Sequence, residues 1–296
     1  MSGDKWANIT AVIVLCITGL QQCNADEILE LARPALGIQV VAIADVQDRL
    51  KELKIEPPTK IGVLVLGVEP FSPAEAAKFT AFDVILKIDR KLIRSADDFQ
   101  EAVARMKIGS EHRLEGYTGK KIKERTHWKR GTIKVKPVSR RALIMNQILE
   151  SEDSISKQNN YRHRESPESV KYPSDLHCRF SATATTVEPL LLRIQYSAED
   201  WLFIKRYEIK ADEETFTLDV SGFGDVERDN NVRIWEWHTR TVGKDDMKML
   251  MAISNAKEVV LRSIGKQYYR DRTLPNAEKQ RLRVMLAAYE ILRQER

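Results

Sequence analysis

The residue types best suited to catalysis or metal binding are sparse in this chain of 296 residues. Its histidines are scattered, at positions 112, 127, 163, 177 and 238, and none lies at metal-ligand spacing. The chain also lacks a Gly-x-Ser-x-Gly elbow, a His-Glu-x-x-His helix and a glycine-rich phosphate loop. We therefore predict a protein that is not an enzyme and that binds no metal or cofactor.

Cysteine chemistry is similarly limited. Cys16 and Cys23 lie in the N-terminal segment, so Cys178 stands alone in the rest of the chain and has no intramolecular disulfide partner. His177 precedes it, and such a pair can serve a metal site or a nucleophile. Adjacent residues rarely converge on one site, however, and we expect Cys178 to be a free structural cysteine.

The remaining candidates for a binding site are two aromatic clusters, Trp235-Glu236-Trp237-His238 and Tyr268-Tyr269-Arg270-Asp271-Arg272. One interpretation is a ligand surface, such as a sugar platform, because tryptophan faces stack on the apolar faces of sugars. The other is a sheet whose alternate aromatic residues pack in a core, with Arg262 and Arg270 paired to acids such as Glu236 and Asp271. We favour the core interpretation.

The N-terminal segment has the pattern of an export signal. Lys5 precedes an apolar run from Ala7 to Leu20, which is short for a bilayer span but typical of a signal peptide. Residues 1–25 are predicted to be cleaved after Ala25, and lipidation at Cys23 or an uncleaved membrane anchor are the alternatives. We expect the protein in the periplasm or cell envelope of a bacterium.

Charge argues against a nucleic-acid partner. The 48 basic and 43 acidic side chains are interleaved, although the net charge is +5. No long block of one sign is present, so a mixed, solvated surface is expected.

Hydrophobic periodicity divides the rest of the chain into two domains. Residues 33–138 alternate short strands with helices, the clearest of which starts at a Ser95 cap. Residues 139–179 contain a helix and then a polar stretch, interpreted as a linker. Residues 180–296 alternate as strands, one of them predicted from Trp201 to Ile209, and end in a helix, which predicts an antiparallel sheet covered by helices. The predicted fold class is α+β.

The first of these domains resembles the PDZ domains of HtrA-type proteases. The resemblance rests on Arg33-Pro-Ala-Leu-Gly-Ile-Gln-Val, Gly62-Val-Leu-Val-Leu-Gly-Val-Glu-Pro, Phe82-Asp83-Val84-Ile85 and Lys107-Ile-Gly-Ser, which occur in order. It implies a partly open β-barrel capped by two helices. An HtrA protease domain does not fit in the short segment before it, and residues 180–296 resemble no family that we recognise.

The resemblance also implies a peptide-binding groove. The backbone N–H groups of Leu36, Gly37 and Ile38 would hold the C-terminal carboxylate of a peptide, with Arg33 assisting by its charge. The peptide would add as a strand along 38–42. An apolar pocket for its last side chain would be formed by Ile38, Val40, Phe99 and Val103, although Phe99 and Val103 can equally serve the domain core.

The sequence departs from the family at one turn. Relatives have Gly-Leu-x-x-Gly-Asp where this chain has Lys78-Phe79-Thr80-Ala81-Phe82-Asp83. Glycine tolerates positive φ at such positions, so this turn is expected to be reshaped or strained. The polar hairpin from Thr118 to Arg130, which lies between predicted strands at Arg113–Tyr117 and Thr132–Val138, is also longer and more basic than in relatives.

Together these features predict an exported, non-enzymatic adaptor or regulatory module that binds C-termini or extended strands of other proteins. One alternative is that the second domain is a ligand-binding or catalytic unit, for example for carbohydrate, which the first domain localises. Another is a structural assembly role in which the groove holds the protein's own linker or a neighbouring copy.

Overall fold

The computed structural model describes residues 25–122, 125–169, 171 and 173–296. The chain divides into two compact units, with the boundary between Gln147 and Ile148. The segment predicted as a signal peptide lies outside the described residues, apart from Ala25. No described helix is long and apolar enough to cross a membrane.

The first unit mixes short helices with strands, and a 3₁₀ turn at Ile43–Val46 leads into its second helix. Its elements are, in chain order, α1 (Ala25–Ala32), β1 (Pro34–Ala35), β2 (Ile38–Ala42), α2 (Gln47–Glu52), β3 (Val63–Val68), α3 (Pro73–Ala76), β4 (Val84–Ile88), β5 (Lys91–Leu92), α4 (Ala96–Ala104), β6 (His112–Ile122), β7 (Arg125–Val135), β8 (Val138–Ser139) and α5 (Arg140–Met145).

The main sheet of this unit has the order β2–β3–β4–β6–β7 and is antiparallel, with β5 paired to β4 and β1 paired to β8. Both faces of the sheet are covered by apolar side chains. Along β3, Val63 and Val65 point into the core beside α4, and Leu64 points into a second cluster beside α2. This explains the unbroken apolar run in β3, because successive side chains point to opposite faces and both faces are buried.

Side-chain caps fix the starts of the helices near the candidate groove. Ser72 Oγ accepts the N–H of Glu75 at 3.1 Å, with Pro73 as the first residue of α3. Ser95 Oγ accepts the N–H of Asp98 at 3.0 Å at the start of α4, as the sequence predicted. The Asp98 carboxylate accepts the N–H of Arg94 at 2.9 Å, one residue before the position expected in a capping box.

The second unit contains longer strands and two longer helices. Its elements are, in chain order, β9 (Ile148–Glu152), β10 (Asn159–His163), β11 (Asp175–Ala182), β12 (Leu191–Ala198), β13 (Arg206–Ala211), β14 (Glu214–Asp219), β15 (Glu227–Asn230), β16 (Ile234–Thr241), α6 (Lys244–Asn255), β17 (Val259–Ile264), β18 (Tyr269–Thr273) and α7 (Asn276–Glu295).

These strands form two antiparallel sheets, with the orders β15–β16–β12–β11–β10–β9 and β14–β13–β17–β18. Helix α7 packs on the first of these sheets. Phe180 stacks on Tyr161 and meets the ring of Tyr289 edge-on, at centroid distances of 5.0 and 5.1 Å. The predicted α+β class, with antiparallel sheets and a C-terminal helix, is confirmed.

Three local predictions differ from the structure. The polar stretch within 139–179 contributes β9, β10 and the start of β11 to a sheet rather than forming a linker. The alternation from Trp201 predicted a strand, but β13 begins only at Arg206. The polar hairpin Thr118–Arg130 is paired as strand, since the β6–β7 ladder runs from His112↔Val135 to Ile122↔Arg125.

A tryptophan accounts for the length of that hairpin. The Trp128 indole N–H donates to the carbonyl of Glu56 at 2.7 Å, and its ring joins the cluster beside α2. Gly119 lies opposite, where a Cβ would be 2.8 Å from the ring. The tryptophan therefore anchors the middle of this polar ladder to the body of the unit.

Candidate peptide-binding groove

The turn before β2 is fixed to its neighbours through its carbonyl groups. The carbonyl of Leu36 accepts the N–H of Ala74 at 3.0 Å, and that of Gly37 accepts the N–H of Glu69 at 2.8 Å. In a trans peptide the N–H points away from the preceding carbonyl. The N–H groups of Gly37 and Ile38 therefore point away from these partners, so the turn can present two adjacent donors to an anion.

Glycine is required at the centre of this turn. Gly37 has φ +74°, which L side chains rarely adopt, and a Cβ there would lie 2.4 Å from Ser72 Cβ. The buried Ser72 is itself held as the cap of α3, so it has no room to withdraw. The backbone donors are thus set by packing against α3 before any ligand arrives.

Strand β2 lies at the end of its sheet. Among the described residues it pairs with β3 on one side, which leaves its other edge open. In an antiparallel pair, successive residues direct their backbone N–H and C=O groups alternately toward the partner strand and away from it. Because Gly37 accepts the N–H of Glu69, the next residue, Ile38, directs its N–H and C=O toward the open edge. A bulge between Gln39 and Val40 shifts the register further along the strand. The open edge offers backbone partners for an added strand.

The four residues predicted to form the apolar pocket are brought together. Phe99 and Val103 of α4 are 5% and 9% exposed and belong to the core that also contains Leu36. Ile38 and Val40 are half-buried and pack against the edge of the same core. Ile38, Val40, Phe99 and Val103 thus belong to one continuous apolar cluster beside β2 and α4.

Arg33, the predicted charge partner of the carboxylate, lies among charged residues that the sequence did not single out. Arg33 forms an ion pair with Glu30 at 2.8 Å, and the same carboxylate binds the guanidinium of Arg140. The N–H of Arg140 donates to the carbonyl of Arg33 at 2.9 Å. Burial raises the pKa of Glu69, and the positive charge of Arg140 partly offsets this. Arg33 is thus one member of a mixed charge cluster rather than a lone cation.

Comparison with known proteins identifies this unit. The family model described as "PDZ domain" matches residues 34–126. This part of the chain is a PDZ domain. PDZ domains generally bind the C-termini of peptides.

A solved structure, the HtrA3 PDZ domain bound to a phage-derived ligand (FGRWV), is similar at 22% identity. The match covers 36% of this chain and 86% of that one, with a TM-score of 0.29. No curated protein matches the chain.

The turn that lacks the family glycines is strained. Lys78 and Phe82, which replace them, have φ values of +63° and +74°. The surrounding hydrogen bonds hold this conformation: the N–H of Lys78 donates to Glu75 O and that of Phe82 to Val65 O, each at 2.8 Å. Of the two outcomes expected from the sequence, the PDZ domain therefore keeps the left-handed backbone and carries the strain.

Candidate metal and nucleophile residues do not assemble. Within the described ranges, no group of three histidine, cysteine or carboxylate side chains is positioned to hold a metal ion. Cys178 is free and fully buried, and burial raises the pKa of its thiol, which confirms the prediction of a structural cysteine. His177 instead lies 3.2 Å from the carboxylate of Asp175, which also binds Arg281.

The tryptophan cluster of the second unit is largely structural. Trp235 is buried, and the indole of the half-buried Trp237 donates to Glu227 at 2.9 Å. Arg262 makes the predicted pair with Asp271, through two bonds of 2.7 and 2.8 Å. Glu236 pairs with Arg228 rather than with the predicted arginines. Core packing is confirmed for Trp235, and the exposed aromatic residues lie elsewhere.

Proposed function

We propose that this protein is an exported, non-enzymatic adaptor whose PDZ domain binds the free C-termini or extended strands of other envelope proteins. The observation that carries the proposal is the turn at Gly37. Its carbonyls accept N–H groups from Ala74 of α3 and from Glu69, which follows β3, and its own N–H groups are directed the opposite way, beside an open strand edge. This backbone arrangement supports the binding of an anion and of an added strand.

The half-buried Ile38 and Val40 support an apolar C-terminal residue as the preferred ligand side chain. Main-chain bonds to β2 would supply affinity with little dependence on sequence, and the apolar pocket would supply selectivity. Export rests on the N-terminal pattern alone, and mass spectrometry of the mature protein tests it. Cleavage after Ala25 predicts an N-terminus at Asp26.

The direct test is calorimetric titration of the full protein with peptides that end in an apolar residue, each as the free acid and as the amide. Micromolar binding of the acids and loss of binding for the amides is expected. If acids and amides bind equally, or if neither binds across a library with varied last residues, the carboxylate groove is not the functional site.

A matched pair of variants separates binding from folding. Ile38 and Ile133 are both half-buried against the same core, but they lie on β2 and β7, at opposite ends of the sheet order. Ile38→Ala is expected to weaken peptide binding about tenfold, since roughly 1–2 kcal/mol of apolar contact is removed. Ile133→Ala is expected to leave the affinity unchanged. Equal losses in both variants would indicate a stability effect rather than contact with the ligand.

A further inference from the structure

The segment between β12 and β13 displays aromatic side chains on the surface of the second unit. The rings of Trp201 and Phe203 stack with centroids 5.9 Å apart and an interplanar angle of 23°. Phe203 is 43% exposed and has φ +55°. A bulky residue in the left-handed region is unfavourable, and such strain persists only where the surrounding structure imposes it.

A buried carboxylate imposes this conformation. The side chain of Glu236 is fully buried and accepts the N–H groups of Leu202, Phe203 and Ile204 at 2.7, 2.9 and 2.9 Å. The Nε of Arg228 donates to the same carboxylate at 3.1 Å. Three consecutive N–H groups converge on one carboxylate, and this curved backbone includes the left-handed residue.

The carboxylate clamp explains the backbone of Phe203 but not its ring. Glycine would satisfy the same three hydrogen bonds without strain and without exposing an aromatic side chain. The ring is therefore an addition that the clamp does not need. Exposed aromatic side chains held on a rigid backbone are suited to ligand contact, because little conformational freedom is lost on binding.

The β17–β18 turn completes the surface. A Cβ on Gly265 would lie 1.9 Å from the carbonyl oxygen of Leu202, so this turn packs directly on the aromatic segment. Lys266 Nζ lies 5.7 Å from the centroid of the Phe203 ring. Tyr268, in the same turn, is 68% exposed. Trp201, Phe203, Lys266 and Tyr268 are called the aromatic platform below.

The charges around the platform favour an acidic sugar over a nucleic acid. A single strand of nucleic acid needs a track of cations for its phosphates as well as stacking surfaces. Here the exposed acids Glu199 and Asp200 come directly before Trp201, and Arg228 is paired with Glu236. Two cations, Lys266 and Arg228, each lie 5.7 Å from the centroid of the Phe203 ring, and the charge of Arg228 is offset by Glu236. The Lys266 ammonium beside aromatic faces suits a sugar that carries a single carboxylate per ring, whose hydroxyls can donate to the acids nearby in the chain.

From this arrangement we infer that the aromatic platform binds an acidic polysaccharide. The sugar rings stack on the exposed aromatic faces, and a uronic acid carboxylate pairs with Lys266. This site lies on the second unit, whereas the PDZ groove lies on the first.

The test is titration of the full protein with oligomers of polygalacturonate, and the fully methyl-esterified oligomers serve as a neutral control with the same sugar rings. Binding of the acid form at least tenfold tighter than that of the ester is expected. Phe203→Gly keeps the left-handed backbone and removes the ring, so it is expected to weaken binding at least tenfold. Lys266→Gln is expected to remove the preference for the acid over the ester.

Phe223→Ala is the matched control, because Phe223 is a fully exposed phenylalanine in another loop of the same unit. It is expected to bind like the unaltered protein. The inference is wrong if polygalacturonate does not bind, if Phe203→Gly binds normally, or if a thymidine oligonucleotide binds more tightly than the uronate. Thermal unfolding of Phe203→Gly shows that the variant is folded, and its peptide binding remains unchanged if the two sites are separate.

Discussion

Replacing Lys78 with glycine should stabilise the PDZ domain. Lys78 has φ +63°, and the left-handed conformation costs a residue with a Cβ about 1–2 kcal/mol. Glycine avoids this cost but loses about 0.5–1 kcal/mol more conformational freedom on folding. The side chain is exposed, so little burial is lost. The net expectation is a gain of about 0.5–1 kcal/mol in the free energy of unfolding.

The neighbouring strained position is less suitable for this experiment. Phe82 has φ +74°, but its ring is only 37% exposed, so truncation would remove buried apolar surface as well as strain. Loss of buried surface destabilises the domain and relief of strain stabilises it, so the change in the free energy of unfolding would not isolate the backbone strain. Lys78→Gly isolates the backbone contribution.

Hydrogen exchange of the full protein, followed by mass spectrometry, measures the effect within the PDZ domain. Peptides covering β3 and β4 exchange when that unit opens, and a gain of this size slows their exchange about two- to fivefold. Lys78→Ala is the control, because alanine retains the strain. If Lys78→Gly does not slow exchange, or if Lys78→Ala slows it equally, strain at this turn is not the cause.

Three other changes test separate features. Gly37→Ala is expected to destabilise the PDZ domain by about 2 kcal/mol or more in thermal unfolding, because its Cβ meets Ser72 in a left-handed backbone; an unchanged Tm would contradict this. Burial and nearby arginines lower the pKa of His163 to about 4, so the second unit is expected to lose stability as pH falls from 6.5 to 4. The loss is about 2 kcal/mol after screening, and denaturant unfolding of His163→Gln should show a flatter pH profile over that range. Burial raises the pKa of Glu69 beside the carboxylate turn, so peptide affinity should fall as this group ionises with rising pH. Glu69→Gln should bind the peptide on the order of fivefold tighter at neutral pH. A calorimetric pH series on this variant shows whether the pH dependence of the peptide affinity disappears.

The sequence predicted the PDZ domain well because its signals are local. Helix caps such as Ser95 and buried runs such as β3 are recognisable within a few residues. The polar stretch failed because β9 lies at the edge of its sheet, with only Ile148 buried among its residues. In strand β10 the side chains of Tyr161 and His163 are buried. Composition counts histidine as a polar residue even when it is buried, so this strand was not predicted.

Only part of the candidate groove could be predicted from the sequence. The order of the motif predicted Gly37 and the four apolar residues, which pack against one core, but Arg140 and Glu69 come from distant parts of the chain. Only the pairing of β1 with β8 and of β2 with β3 brings these charges to the turn. The strand predicted from Trp201 is replaced by an irregular segment because Glu236, a long-range partner, takes N–H groups that a strand partner would otherwise accept.

The Glu236 clamp also has a kinetic consequence. Leu202 and Glu236 are separated by 34 positions, and Glu236 lies on β16, which must pair with β12 before its carboxylate can be buried. Until then, nothing offsets the left-handed strain at Phe203. The aromatic segment is therefore expected to become ordered late in folding, after this long-range pairing has formed. Newly made chains that have not yet incorporated β16 would present the same aromatic residues without a fixed arrangement.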